Sequence, residues 1–267
     1  MEEALRVPAI SFAGMAVSIV LVIGVPIALF FAVRKKYGKG ILPVLLGGAG
    51  FLLFAMVLEQ LLHAVVLRPG AYGISLMDRP YLYMLYGALA AGVFEESARF
   101  VSFHILKKRC GGFGTALKHG IGHGGVEAVL LGGISLISGM ALAAMLNTVG
   151  AEGLSALGMP VLEQVQAIAA APPYMMFITG AERLMALGIQ ISLSAVVYYA
   201  VYKPRKLWLF PLAILLHALA DCPAALFQAG VITDVWLVEG IVLASMAGLI
   251  AVAMLIHRRL EPKEEAV

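Results

Sequence analysis

The chain is dominated by apolar stretches, each about as long as a membrane is thick. They lie near residues 8–33, 41–67, 81–106, 119–146, 174–201, 207–228 and 235–257. About 20 apolar helical residues cross the hydrocarbon core of a bilayer, because each residue adds about 1.5 Å. Only 13% of the residues are charged, against roughly 25% in a soluble domain. The sequence therefore predicts an all-α polytopic membrane protein with about seven transmembrane helices.

Basic residues lie between alternate spans and indicate the orientation of the chain. If the chain crosses seven times, one side keeps only Arg6, Arg68 and Arg79. The other side carries Arg34, Lys35, Lys36, Lys39, Lys107, Lys108, Arg109, Lys118, Lys203, Arg205, Lys206, Arg258, Arg259 and Lys263. The positive-inside rule then predicts an N-terminus outside and a C-terminus in the cytoplasm, as expected in the plasma (cytoplasmic) membrane of a prokaryote.

Three further features limit the class of protein. The basic clusters are short and form no continuous basic face, so no nucleic-acid partner is expected. The first span lacks the basic start and short apolar core of a cleavable signal peptide and is expected to remain in the protein. No internal repeat suggests an inverted-repeat transporter.

The chain is predicted to be one transmembrane helical domain over residues 1–267. An external loop is expected at residues 151–171, where Pro160 marks a possible helix start. Apolar residues follow helical spacing through this loop at Leu157, Val161, Val165 and Ile168. A structured connector, an interfacial helix and a lid all fit this pattern.

Ionisable side chains inside the predicted spans are candidates for function. Each costs on the order of 2.5–3.5 kcal/mol at the centre of a membrane helix, so structure alone rarely retains many of them. Counting the helical rise places one layer in the cytoplasmic half of the membrane; it contains Glu95, Glu96, Arg99, His123, Glu127, His217 and Asp221. A separate outer layer, expected to hold packing polar groups, contains Glu59, His63, Glu182 and Arg183. His119, beside Lys118 at a helix end, is expected to be interfacial.

Spacing within the helices supports convergence of the first layer. His119, His123 and Glu127 recur every fourth residue and share one helix face, and His217 and Asp221 are likewise one turn apart. Adjacent helical residues diverge by about 100°, so Glu95 and Glu96 cannot both face one substrate atom. We expect one of them to act on the substrate and the other to pair with Arg99.

The fourth span is rich in glycine. Small residues on one face of a membrane helix allow another helix to approach closely, and they also leave room for an extended peptide. The residues concerned are Gly120, Gly122, Gly124, Gly125, Gly132 and Gly133.

Most known intramembrane hydrolytic sites do not match the chain. A His-Glu-x-x-His zinc motif is absent from the sequence. Asp221 is the only aspartate in a predicted span, so an aspartyl pair is excluded. Gly133-Ile134-Ser135 is followed by Leu136, not by the glycine of a Gly-x-Ser-Gly serine site. A glutamate-centred site with histidines remains.

Three short motifs resemble those of a known family. Glu95-Glu96-Ser97-Ala98-Arg99 resembles the Glu-Glu-x-x-(Arg/Lys) motif of the YhfC/PrsW-type intramembrane metalloproteases. This family is distantly related to the CPBP membrane peptidases, which include the CAAX prenyl proteases and the Abi proteins. His123-Gly124-Gly125-Val126-Glu127 resembles the second motif, and His217-Ala218-Leu219-Ala220-Asp221 resembles the third. Order and spacing match over about residues 80–230, and the His-Gly-Gly-x-Glu form points to the YhfC branch.

The resemblance implies an intramembrane endopeptidase acting on a membrane-embedded or lipid-proximal protein. Glu95 would polarise the attacking water, assisted by His123 or Glu127. His217, oriented by Asp221, would stabilise the oxyanion or bind a metal. Glu96 and Arg99 would support these groups.

The resemblance leaves the metal open. The metalloprotease label implies zinc or another divalent ion, whereas the prenyl-protease relatives are read as metal-independent. The donors available for zinc are Glu95, His123, Glu127 and His217.

Two other classes of function use the same residues. A proton- or ion-coupled membrane carrier could relay protons along intramembrane carboxylates and imidazoles. A non-catalytic membrane scaffold or immunity factor could retain the motifs without using them.

Overall fold

The computed structural model describes residues 5–68, 76–155 and 158–261. These residues are almost entirely helical and contain no β-strand. The helices are α1 (Ala9–Tyr37), α2 (Leu42–Leu53), α3 (Gln60–Val66), α4 (Pro80–Leu106), α5 (Phe113–Glu127), α6 (Ile134–Ser155), α7 (Met159–Ala170), α8 (Tyr174–Tyr202), α9 (Leu209–Gln228) and α10 (Val235–Leu260). The prediction of an all-α membrane protein is confirmed.

Helices cover all seven predicted spans. Within the described residues, six helical segments are long and apolar enough to cross a membrane. The predicted third span is the 27-residue helix α4, which is less apolar than those six because it carries Glu95, Glu96 and Arg99. The count of seven crossings and the orientation of the termini stay predictions.

Two helical connections are wound more loosely than an α-helix. A π-helical segment, Phe54–Glu59, joins α2 to α3, and a second one, Ala128–Gly133, joins α5 to α6. Single π-turns inside helices are often found at functional sites. Each segment here adjoins an acidic residue, since Glu59 ends the first and Glu127 precedes the second.

The expected external loop at residues 151–171 is largely helical. Residues 151–155 end α6 after a kink at Gly150, whose backbone has a positive φ of 73°. Pro160 lies in the first turn of α7, where its missing N–H is harmless. Leu157 lies outside the described residues.

Contacts group the helices into two compact units. The first unit comprises Met1–Ile27 and Glu127–Leu184. Its apolar core includes Met15, Val22 and Leu146. In the same unit Asn147 bonds the backbone of Val7 twice, accepting from its N–H at 2.9 Å and donating to its carbonyl at 2.8 Å.

The second unit comprises Ala28–Val126 and Met185–Val267. Helices α4 and α9 pack together most extensively in it. Gly92 allows this packing, because a Cβ built there would lie 2.8 Å from the carbonyl oxygen of Ile214. The C-terminal part of α8 is buried in the core of this unit, with Leu193, Val196 and Tyr199 inaccessible to solvent.

Helices α2 and α5 cross at two glycines in the second unit. A Cβ built on Gly47 would overlap the carbonyl oxygen of His119, and one built on Gly122 would overlap that of Val44. The glycine face of α5 is therefore occupied by another helix at this point, which confirms the prediction of close helix contact there. The crossing also fixes the position of the helix that carries His123.

Candidate active site and metal-binding residues

The second unit brings six of the seven predicted site residues into one network of polar side chains. Helix α4 supplies Glu95, Glu96 and Arg99, α5 supplies His123, and α9 supplies His217 and Asp221. All except Asp221 are buried, and the Asp221 side chain is 40% exposed. Turn-to-turn spacing on the helices places these residues on inward faces, as predicted.

Glu95 is the point on which the histidines converge. Its Oε2 lies 2.8 Å from His123 Nε2 and 3.9 Å from His217 Nε2. Oε2 also accepts a hydrogen bond of 3.0 Å from Gln190 Nε2. Two imidazoles and an amide, from three different helices, thus face one carboxylate oxygen.

Arg99 is fully buried and all three of its nitrogens are bonded. Nη1 donates to Glu96 Oε1 at 2.5 Å, Nε donates to Ser194 Oγ at 3.2 Å, and Nη2 donates to Gln190 Oε1. The Nη2 atom is 3.8 Å from Glu95 Oε2. Arg99 therefore hydrogen-bonds Glu96 and lies within ion-pair distance of Glu95, and which of the two acts on a substrate stays a prediction.

His217 lies between two carboxylates. Its Nδ1 is 2.6 Å from Glu96 Oε1, and its Nε2 is 3.4 Å from Asp221 Oδ2. When Nδ1–H donates to Glu96, Nε2 keeps a free lone pair. Two carboxylates therefore orient the ring: the predicted Asp221, and Glu96, which lies nearer.

Glu127 is the seventh predicted site residue and ends helix α5 in the first unit. It follows His123 in the sequence by four residues. Arg183 Nη1 lies 3.6 Å from Glu127 Oε1, and Arg183 Nη2 also bonds Glu182. The prediction that Arg183 belongs to a layer separate from the motif residues is therefore wrong. A salt bridge offsets the cost of burying both charges.

Glu59 and His63 pair with each other, as expected of packing polar groups. His63 Nε2 is 3.2 Å from Glu59 Oε1, and its Nδ1 is 2.7 Å from the Tyr86 hydroxyl. Their place in a separate outer layer stays a prediction.

The structure also corrects the predicted helix end at His119 and adds two residues to the site. His119 is fully buried, 3.3 Å from Ser194 Oγ, and does not lie at a helix end, because α5 begins at Phe113. Gln190 and Ser194 were missed because only ionisable residues were considered. Their spacing of four residues within an apolar helix was the available signal.

The residues present fit a divalent metal. Catalytic zinc sites with two histidines and one glutamate bind the metal through imidazole nitrogens and a carboxylate oxygen. The same types of donor are present here. Glu96 on Nδ1 of His217 matches the carboxylate that usually orients a metal-binding histidine. His123 presents Nε2 to Glu95, while its Nδ1 has no hydrogen-bond partner among the described residues.

Comparison with known proteins identifies relatives over most of the chain. A sequence model of the family described as YhfC intramembrane metalloprotease matches residues 19–242. The chain is 37% identical over 230 residues to the "Uncharacterized membrane protein YhfC" of Bacillus subtilis (strain 168), covering 84% of this chain and 87% of that protein. No solved structure matches the chain.

Proposed function

Because this chain belongs to the YhfC intramembrane metalloprotease family, we propose that it is an intramembrane endopeptidase. Its substrates are membrane-embedded or lipid-proximal proteins of a prokaryotic plasma membrane. It hydrolyses a peptide bond with a water molecule that Glu95 and the surrounding histidines activate.

One observation carries this proposal. His123 Nε2 and His217 Nε2 both approach Glu95 Oε2, at 2.8 Å and 3.9 Å, inside apolar helices. Ionisable groups inside membrane helices cost free energy, so a cluster of them indicates a functional site. Carboxylates and imidazoles within hydrogen-bond reach are the groups that general acid–base catalysis requires.

Glu95 is the proton acceptor in this mechanism. It takes a proton from water as the water oxygen bonds to the carbonyl carbon of the substrate. The proton then passes to the amide nitrogen as the carbon–nitrogen bond breaks, which yields a new carboxylate and a new amine. Arg99 hydrogen-bonds Glu96 at 2.5 Å and approaches Glu95 only to 3.8 Å, so Glu95 is the carboxylate that the guanidinium engages less.

His217 is the second group that faces the reaction. Glu96 accepts from its Nδ1 and fixes the orientation of the ring, so Nε2 points toward Glu95 and Asp221. When Nε2 also carries a proton, His217 can donate a hydrogen bond to the carbonyl oxygen on which negative charge develops.

A divalent ion would be held by the predicted donors of the second unit, Glu95, His123 and His217. When bound, it would lower the pKa of a coordinated water and polarise the carbonyl of the substrate.

A comparison of whole membranes tests the proposal before any individual substrate is identified. Membranes from bacteria expressing the wild type, Glu95→Gln or Glu163→Gln are compared by mass spectrometry of newly formed protein termini. Glu163 is an exposed residue of α7 and provides a matched change of charge outside the site. We expect new termini in or near membrane segments with the wild type and with Glu163→Gln, and their loss with Glu95→Gln.

Two results would contradict the proposal. One is the same set of termini in all three strains, and the other is no new terminus with the wild type. Metal analysis of the purified protein runs in parallel and is expected to give about one divalent ion per chain. Loss of that ion in His123→Ala would assign it to the site.

A further inference from the structure

We propose that Gln190 is a positioning residue that holds Oε2 of Glu95 and leaves Oε1 as the oxygen that acts on the substrate. The role of Oε1 in hydrolysis rests on the proposed function. The contact between Gln190 and Glu95 does not. Gln190 lies outside all three motifs, on helix α8, and is buried.

An amide is the chemical group that this position requires. Arg99 can only donate hydrogen bonds, and an ionised Glu95 can only accept them. Gln190 lies between the two, accepting from Arg99 Nη2 with Oε1 and donating to Glu95 Oε2 with Nε2 at 3.0 Å. These neighbours also fix which end of the amide is oxygen. In the reverse orientation the amide N–H would face the N–H of Arg99, and the amide oxygen would face the carboxylate oxygen of Glu95.

Glycines on α5 allow Gln190 to reach this point. A Cβ built on Gly124 would lie 2.8 Å from Gln190 Cβ, and one built on Gly120 would lie 2.5 Å from Ile191 Cα. Any larger side chain at either position would push α8 away from α5. The glycine spacing on α5 thus places the amide beside the carboxylate.

The two oxygens of Glu95 are consequently unequal. Oε2 is engaged by His123 and Gln190, whereas Oε1 has no bonding partner in the described part of the chain. Glu95 retains a small exposure of 7%. The fixed oxygen sets the plane of the carboxylate, and the free oxygen can meet a water molecule.

A double-mutant cycle tests the contact by stability, independently of activity. The purified full-length variants Gln190→Glu, Glu95→Gln and the double variant are unfolded reversibly with SDS in mixed micelles. Gln190→Glu keeps the acceptor for Arg99 but sets a carboxylate against Glu95. The double variant exchanges amide and carboxylate, so a donor again faces an acceptor.

Multiplying the effects of the two single variants gives the unfolding constant expected without coupling. We expect the measured unfolding constant of the double variant to be about threefold to tenfold smaller than that value. The control cycle pairs Ser192→Ala with Glu95→Gln. Ser192 is a neighbouring polar residue whose hydroxyl bonds Gly188 within its own helix, at 2.8 Å. Its effects should multiply to within about twofold.

Purely multiplicative effects in the Gln190 cycle would overturn the proposal. If Gln190→Glu does not fold, Gln190→Met replaces it, and Glu95→Gln should then destabilise the protein less than it does beside the native amide. The outcomes are separable from those for the proposed function. If the wild type shows coupling but no cleavage, the contact is supported and the proposed peptidase function is contradicted. If it shows cleavage but no coupling, only the proposed role of Gln190 is contradicted.

Discussion

The glycine crossing of α2 and α5 makes a quantitative prediction for Gly122→Ala. A Cβ at Gly122 would overlap the carbonyl oxygen of Val44 and lie 2.7 Å from its carbonyl carbon and Cα. All three are backbone atoms of a helix, so no side-chain rotation can relieve the overlap. The two helices would have to separate, which would move His123 relative to Glu95.

The expected loss of stability follows from two opposing terms. Overpacking of this kind costs up to about 3 kcal/mol. Alanine gains up to about 1 kcal/mol over glycine in helix propensity. The net loss is then about 2 kcal/mol, or about 30-fold in the unfolding constant at 1.4 kcal/mol per tenfold.

The assay is reversible SDS unfolding of the purified protein, with Gly248→Ala as the matched control. Gly248 lies on α10 and has nothing within 4 Å of a built Cβ, so this variant should be neutral or slightly stabilised. If Gly122→Ala matches Gly248→Ala in stability, α2 and α5 do not cross at these glycines and the reasoning is refuted.

Three further variants test other contacts by the same unfolding assay. Arg99→Lys should lose about 3 kcal/mol, because one ammonium cannot replace the fork that satisfies buried partners on three sides; a loss below about 1 kcal/mol would argue against the network. Asn147→Leu should lose about 1–2 kcal/mol, since both backbone groups of Val7 lose their partner, and wild-type stability would show that those bonds contribute nothing. Tyr86→Phe should lose about 0.6 kcal/mol, because it removes one hydrogen bond to His63; a loss as large as that of Arg99→Lys would show that the hydroxyl contributes more than one such bond.

The fold could be predicted from the sequence because the bilayer restricts it strongly. Apolar runs of spanning length have few alternatives to a helix. All seven predicted spans therefore coincide with helices. The start of α5 was misjudged because Lys118 suggested a water-exposed end, yet its ammonium group is buried and donates to the carbonyl of Gly38 at 2.8 Å.

The candidate site was predictable as far as helix periodicity reaches. Spacing of four residues placed His217 and Asp221 on one face, and the diverging directions of Glu95 and Glu96 implied that only one binds Arg99. Contacts between helices could not be obtained from spacing within a helix. That limit explains why the ion pair between Glu127 and Arg183 was not predicted.

Short-range cross-linking tests the convergence of the motifs most directly. Glu95→Cys and His123→Cys are combined in a protein whose Cys110 and Cys222 are replaced by serine, and the membranes are treated with a short bifunctional thiol reagent. If the motifs share one site, this pair links rapidly, and little linking is seen when Val93→Cys, on an exposed face of α4, replaces Glu95→Cys. Equal linking of both pairs, or none of the first, would contradict a common site.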